Sequence, residues 1–341
     1  MVIFTRLMKR PRDDNVGVAM VESAANDNVR GIVLIMLGAL FLSVMDAVVK
    51  LLLDHGYSVL QILAVRSWFI VPAMVLWAWR TLPGGALRTK RPALHIVRVV
   101  LGFFAPFFFF SSLSTLPLAD ATVIFFGATF IMTALSVPLL KEYVGPHRWA
   151  AVVVGFLGVV VAANPSGDFF QSGAVLAMLS SLSYALFMLI TRWMGPGEGA
   201  FKQVLYFHAW VAVAASAFAL TDFKPMTLGD LGLVALAGVI AVSGHLCLTR
   251  AFSIAPVGVV APFEYSAMVW ASLMGFWMWG HIPGQATIMG AGVIVASGLY
   301  LLYRETRQKR LQTVMGADTV EAVPPPVAVP ISASVAGEDK R

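Results

Sequence analysis

From residue 31 to residue 303 the chain is a succession of apolar runs broken by short stretches that hold Pro, Gly or charge. Each run is roughly 20 residues long, the length a helix needs to cross about 30 Å of hydrocarbon. Read this way, the pattern predicts ten spans: 31–53, 58–79, 93–115, 119–140 and 147–163, then 172–194, 203–221, 229–253, 258–279 and 286–303. Helix is the required state, because an open sheet would leave backbone groups unpaired in lipid and barrel strands would alternate in polarity. The expected fold class is an all-α integral membrane protein.

Composition agrees. Hydrophobic residues make up 59% of the chain and charged residues 12%, with a mean hydropathy of +0.81, which excludes a soluble globular domain. Lys and Arg then orient the spans. They gather in the N-terminal tail (Arg6, Lys9, Arg10, Arg12, Arg30), after span 2 (Arg80, Arg88, Lys90, Arg91) and after span 10 (Arg304, Arg307, Lys309, Arg310). Connections of opposite parity hold only Lys224, so both termini are expected in the cytoplasm, in a bacterial-type inner membrane. The net charge of +6 follows from this bias and predicts no nucleic-acid partner.

Residues 1–29 lack the apolar core of a signal peptide, so span 1 is expected to serve as the targeting signal. Residues 1–30 read as a cytoplasmic tail; residues 304–341 read as a basic segment followed, from 311, by disorder. The single Cys247 excludes an intramolecular disulfide and a multi-thiolate metal site. No cofactor is expected.

The chain also aligns with itself. At an offset of 142, residues 31–50 fall on 173–192, and Gln61, Leu63 and Trp68 match Gln203, Leu205 and Trp210, with Arg66 on His208. After a shorter loop the offset becomes 139, and Ser114 and Pro117 meet Ser253 and Pro256. Two five-span units result, 31–163 and 172–303. An odd number of spans forces the second unit to enter the membrane upside down, as in inverted-repeat transporters.

These features, with the stretch LKEYVGPHRWAAVVVGFLGVVV and the turns PLADAT and PVGVVAPFEY, resemble the EamA family of the drug/metabolite transporter superfamily, and within it the bacterial S-adenosylmethionine and riboflavin carriers. The resemblance implies a secondary carrier of small organic metabolites with a central cavity open alternately to each side. The family often has an acidic residue after span 4 and again after span 9; here Glu142 is matched by His281.

Ionisable groups at membrane depth are costly unless they face a wet cavity or a partner, so they are the functional candidates. Candidates for substrate contact or gating are Glu264, Arg66, Tyr265, Asp46, Lys50, Trp270, His245 and Tyr184; candidates for proton coupling are Glu264, His208 and His245. Asp46 and Lys50, four apart, suit a local ion pair near the outer end of span 1 or a place in a cavity wall. Arg66 has a planar fork that can grip an anionic substrate group or clamp Glu264. Arg98 is expected to snorkel to the cytoplasmic headgroups, and Asp120 to cap span 4. Pro106, Pro138 and Pro262 predict kinks unless they sit in a first turn, and Gly155, Gly158, Gly290 and Gly292 predict close helix packing or a homodimer face.

No HExxH motif, intramembrane aspartate pair or GxxxxGK[ST] loop is present, which disfavours a membrane enzyme or a primary pump. A secondary carrier of a small molecule leads, whether importer or exporter; a passive channel is the alternative.

Overall fold

The computed structural model describes residues 14–83, 87–89, 91–141, 144–163, 172–194, 200–221, 223–255 and 257–321. All regular structure among them is helical: α1 (Asp14–Asp54), α2 (Val59–Thr81), α3 (Pro92–Ser112), α4 (Leu118–Phe125), α5 (Ala128–Leu140), α6 (Pro146–Ala162), α7 (Ser172–Met194), α8 (Ala200–Ala219), α9 (Leu228–Ile254), α10 (Val257–Val260), α11 (Ser266–Trp279) and α12 (Gln285–Glu321), with a 3₁₀ turn over Ala261–Tyr265. Seven stretches are long and apolar enough to cross a membrane: 27–54, 59–81, 92–112, 118–140, 172–191, 228–252 and 285–304. The remaining expected spans fall on α6, which is apolar but shorter, on α8, and on the interrupted segment from α10 to α11.

Local chemistry explains the boundaries. Ser58 caps α2 by accepting from the Gln61 amide at 3.3 Å, and Thr227 caps α9 by accepting from the Asp230 amide at 3.1 Å. Pro92 and Pro146 open α3 and α6, where a missing N–H costs nothing. Pro262 likewise sits in the first turn of the 3₁₀ segment, while Pro106 and Pro138 lie inside α3 and α5. At its far end α12 runs to Glu321, beyond the point where disorder was expected. Residues 304–321 are mostly good helix formers and contain no Pro, which explains the extension. The tail from 322 lies outside the described residues.

Helices pack in exchanged pairs: α1 on α9, α7 on α3, α2 on α8, α6 on α12, and α4 on α11. Glycines permit the closest approaches. Gly38 of α1 and Gly244 of α9 face each other so tightly that a Cβ on either would press on the other's carbonyl, and Gly158 of α6 meets Gly290 of α12 in the same way. Gly155 leaves room for the Phe130 ring. Gly155, Gly158 and Gly290 thus belong to internal packing. Gly292 meets nothing within 4 Å and has no such role.

One large core joins both halves, with Leu52, Ile62, Leu63, Leu113, Phe130 and Ile294 fully or almost fully buried. Large apolar side chains also cover the outside, among them Trp79, Trp277 and Val239. That is the surface expected of helices solvated by lipid.

Candidate functional site: a polar layer inside the helix bundle

Polar side chains from several helices lie within this apolar body. Arg66 of α2 is 5% exposed; its Nη1 donates to Sδ of Met45 at 3.2 Å, and its guanidinium lies 5.5 Å from the centre of the Phe110 ring. Its stem packs on α9 at Gly238, where a Cβ would touch the Arg66 Cγ. Asp46 of α1, His208 of α8 and His245 of α9 all lie within electrostatic reach of Arg66. Arg66 Nε and His208 Nδ1 are buried without a hydrogen-bond partner.

Two expected pairings do not form. Among the described residues the ion pairs within 4.0 Å are Arg30 with Asp27 and His55 with Asp230, so Arg66 does not clamp Glu264 and Asp46 does not pair with Lys50. Lys50 turns instead to the C-terminus of α3, donating to the carbonyls of Leu113 at 2.6 Å and Leu116 at 3.3 Å, with Trp279 5.5 Å beneath it. The orphan carbonyls and negative end of that helix outbid a half-buried carboxylate one turn away.

Glu264 enters from the 3₁₀ turn, half-buried, within electrostatic reach of Tyr184 of α7 and of its neighbour Tyr265. An aromatic chain surrounds it: Tyr184 packs on Phe125 at 5.1 Å, and Tyr265 on Phe126 at 5.3 Å. Tyr265 also lies over Gly298 of α12, where a Cβ would overlap its hydroxyl. Trp270, one turn further along α11, is half-buried, and its indole N–H has no partner among the described residues. Thus the structure brings Arg66, Asp46, His208 and His245 into one group, and Glu264, Tyr265 and Tyr184 into another. Lys50 stands apart, nearer the Trp279 end.

Interrupted helices supply both groups. Between α4 and α5 the chain breaks at Phe126–Gly127, and Ser181 of α7 donates to the carbonyls of Ile124 at 3.1 Å and Phe125 at 3.2 Å beside the break. In the other half Ser43 of α1 donates to the Ala267 carbonyl at 3.4 Å, in the first turn of α11. Each break therefore receives a hydroxyl from the first helix of the opposite half.

Three further polar arrangements escaped the sequence reading. Arg98 does not snorkel: it is 4% exposed and staples three helices, donating to Thr191 Oγ1 at 2.8 Å and the Gln203 carbonyl at 2.9 Å and stacking 4.3 Å over Phe187. Asp120 lies in the first turn of α4, where the helix dipole favours a carboxylate, and it also accepts from Thr287 of α12 at 2.8 Å. Asp230 collects Tyr57, Thr227 and His55 at 2.7–2.8 Å, tying the α1–α2 turn to the start of α9. A capping box was visible there as Thr227-Leu-Gly-Asp230. Among the described residues no cluster of three or more His, Cys, Asp or Glu could hold a metal ion.

Residues 29–164 match the EamA-like transporter family. The chain is 28% identical over 244 residues to the S-adenosylmethionine uptake transporter of Rickettsia bellii (71% of this chain, 81% of the relative). It is 28% identical over 226 residues to the riboflavin transporter of Rhizobium johnstonii (66% and 75%), and 27% identical over 273 residues to the pseudopaline exporter of Pseudomonas aeruginosa (80% and 95%). A protein of known crystal structure, 17% identical, shares the fold with a TM-score of 0.53 over 82% of this chain and 97% of its own.

Proposed function

We propose that the protein is a secondary carrier that moves a small organic metabolite of the S-adenosylmethionine, riboflavin or amino-acid type across the cytoplasmic membrane by alternating access. The observation that carries this reading is the exchanged pairing of helices. Counting α4–α5 and α10–α11 as one span each supports a reading of ten spans, because each of these pairings recurs with the halves interchanged. α1 on α9 corresponds to α7 on α3, and α2 on α8, α6 on α12 and α4 on α11 each join equivalent helices. Two inverted five-helix units of this kind can rock about a shared centre.

Interrupted helices at corresponding positions of two such halves point to the substrate site. Here they deliver Phe125, Phe126, Glu264 and Tyr265. The distribution of Lys and Arg supports cytoplasmic termini. In this reading Glu264, Arg66, Asp46, Tyr184, Tyr265, Trp270 and His245 line or gate the cavity, and Glu264, His208 and His245 are the groups able to carry a coupling proton.

Uptake of labelled S-adenosylmethionine and riboflavin into proteoliposomes tests the proposal. It predicts saturable uptake that accelerates when unlabelled substrate is loaded inside. Export is the alternative direction, favoured by the length of the match to the pseudopaline exporter. Orientation-resolved transport separates the two.

A further inference from the structure

α1 and α9, one from each half, run antiparallel and make contact through glycines of α1. Where the apolar stretch of α1 begins, a Cβ on Gly31 would fall 2.6 Å from that of Ala255; further along, one on Gly38 would press on the Gly244 carbonyl. Between the helices, at the level of Gly31, lies a cavity of about 430 Å³. Arg30 of α1 and Arg250 of α9 line it together. Val33 and Leu34 continue its wall about one turn deeper on α1, and Ile254 adds to it from α9. Both arginines are exposed, yet both lie inside stretches apolar enough to cross a membrane, 27–54 and 228–252. An exposed guanidinium in such a stretch needs an anion or a path to the headgroups.

Asp27 is the one carboxylate in the lining, and its Oδ1 is 3.9 Å from Nη1 of Arg30, with the two side chains 46% and 74% exposed. A pair so loose and so well solvated is weak, which leaves Arg30 open to a stronger partner. Two arginines less one aspartate give the lining a net charge of +1. We infer that this groove seats the headgroup of an acidic phospholipid, with the phosphate between Arg30 and Arg250 and an acyl chain along Val33 and Leu34. Guanidinium forks grip phosphate oxygens in pairs. A phosphodiester without an ammonium balances the +1 of the lining, whereas a zwitterionic headgroup brings it no net charge. A soluble phosphate makes no use of the apolar wall; a lipid covers it. Basic pockets between transmembrane helices take anionic headgroups on the cytoplasmic side, the side to which the Lys and Arg bias assigns this end. Because Arg30 belongs to the first half and Arg250 to the second, the bound lipid bridges the two. The site uses no residue of the polar layer, so it stands or falls independently of the carrier reading.

Native mass spectrometry of the purified full-length protein tests it, with phosphatidylglycerol, phosphatidylcholine and, as a soluble source of the same anion, glycerophosphoglycerol. The parent is expected to retain phosphatidylglycerol in preference to phosphatidylcholine. Arg30→Gln and Arg250→Gln each weaken phosphatidylglycerol binding about fivefold, the effect of one basic residue at an anionic surface, and the double variant loses the preference. Asp27→Asn strengthens it, which a merely damaged fold would not do. Arg80→Gln, at an exposed arginine in the last turn of α2 and outside the groove, leaves it unchanged. Arg30 is exposed enough to be replaced without loss of the fold, so its variant decides the matter even where Arg250→Gln disturbs packing. Equal retention of the two lipids by the parent overturns the inference, as does an effect of Arg80→Gln equal to that of Arg30→Gln. Glycerophosphoglycerol bound as tightly as the lipid overturns it too, since the groove would then be a site for soluble anions.

Discussion

Phe126 and Tyr265 pack on one another with ring centres 5.3 Å apart and planes tilted by 38°, and they are separated by the offset of 139 that aligns the fourth and ninth predicted spans. In the proposed inverted-repeat arrangement, residues so related touch only where they flank its axis. Their neighbours Phe125 and Glu264 are equivalent too, so the one charge beside this axis belongs to the second half alone.

That asymmetry makes Glu264 the sharpest target for substitution. Glu264→Gln keeps the shape and one acceptor oxygen and removes the charge. In proteoliposomes the variant is expected to lose uptake by about 100-fold, in line with the cost of deleting a charged contact inside a membrane protein. It is also expected to ignore an imposed pH gradient. Uptake by the parent that is itself insensitive to the gradient contradicts proton coupling.

Tyr265 acts through its ring. Tyr265→Phe keeps the packing on Phe126 and on Gly298 and is expected to transport within about threefold of the parent, whereas Tyr265→Ala opens a gap at the axis and loses about tenfold or more. Gly298→Val should reproduce the alanine phenotype without touching the tyrosine, since any Cβ there overlaps its hydroxyl. Normal transport by Gly298→Val argues against that placement of the ring.

Arg98 is expected to matter for stability and not for selectivity. Arg98→Ala removes the staple between α3, α7 and α8, with its charged hydrogen bonds to Thr191 and the Gln203 carbonyl, at a cost of about 2–3 kcal/mol. Thermal unfolding in detergent checks this. An altered substrate preference with an unchanged melting temperature would mean that Arg98 belongs to the site.

The polar knot at the α1–α2 turn has a pH signature. Tyr57 donates to Asp230 at 2.8 Å, and this hydrogen bond is the main reason its hydroxyl titrates above the ordinary tyrosine range. A raised tyrosine pKa favours the protonated, folded form, so the contribution is fully present below the free tyrosine value of about 10 and is lost as pH climbs through the raised one. Tyr57→Phe should lower the melting temperature at neutral pH and flatten its alkaline decline. An unchanged alkaline limb would show that another group controls it.

Much of this was legible in the chain. Spans read from apolar runs fall on helices because hydrocarbon thickness sets their length and lipid forbids the alternatives. Glu264, Arg66 and Asp46 stood out for the same reason. What could not be read was direction. Distance along a helix suggested that Arg98 reaches the headgroups, but the face it occupies points at α7 and α8, and only packing decides the face. The spacing of Asp46 and Lys50 suggested a local pair, yet the carbonyls at the end of α3 lie 63 residues or more away in sequence and win. The break at Phe126–Gly127 leaves no local mark beyond a single glycine, although the hydroxyl of Ser181 that attends it comes from another unit of the repeat.

The central claim is that this chain is a carrier whose two halves alternate around an internal polar layer. Counterflow tests it most directly: proteoliposomes loaded with unlabelled S-adenosylmethionine or riboflavin are diluted into a trace of the labelled compound. A carrier accumulates label transiently above equilibrium, and Glu264→Gln abolishes the overshoot. Label that only equilibrates, at a rate proportional to concentration and without overshoot in the parent, contradicts the account and describes a channel.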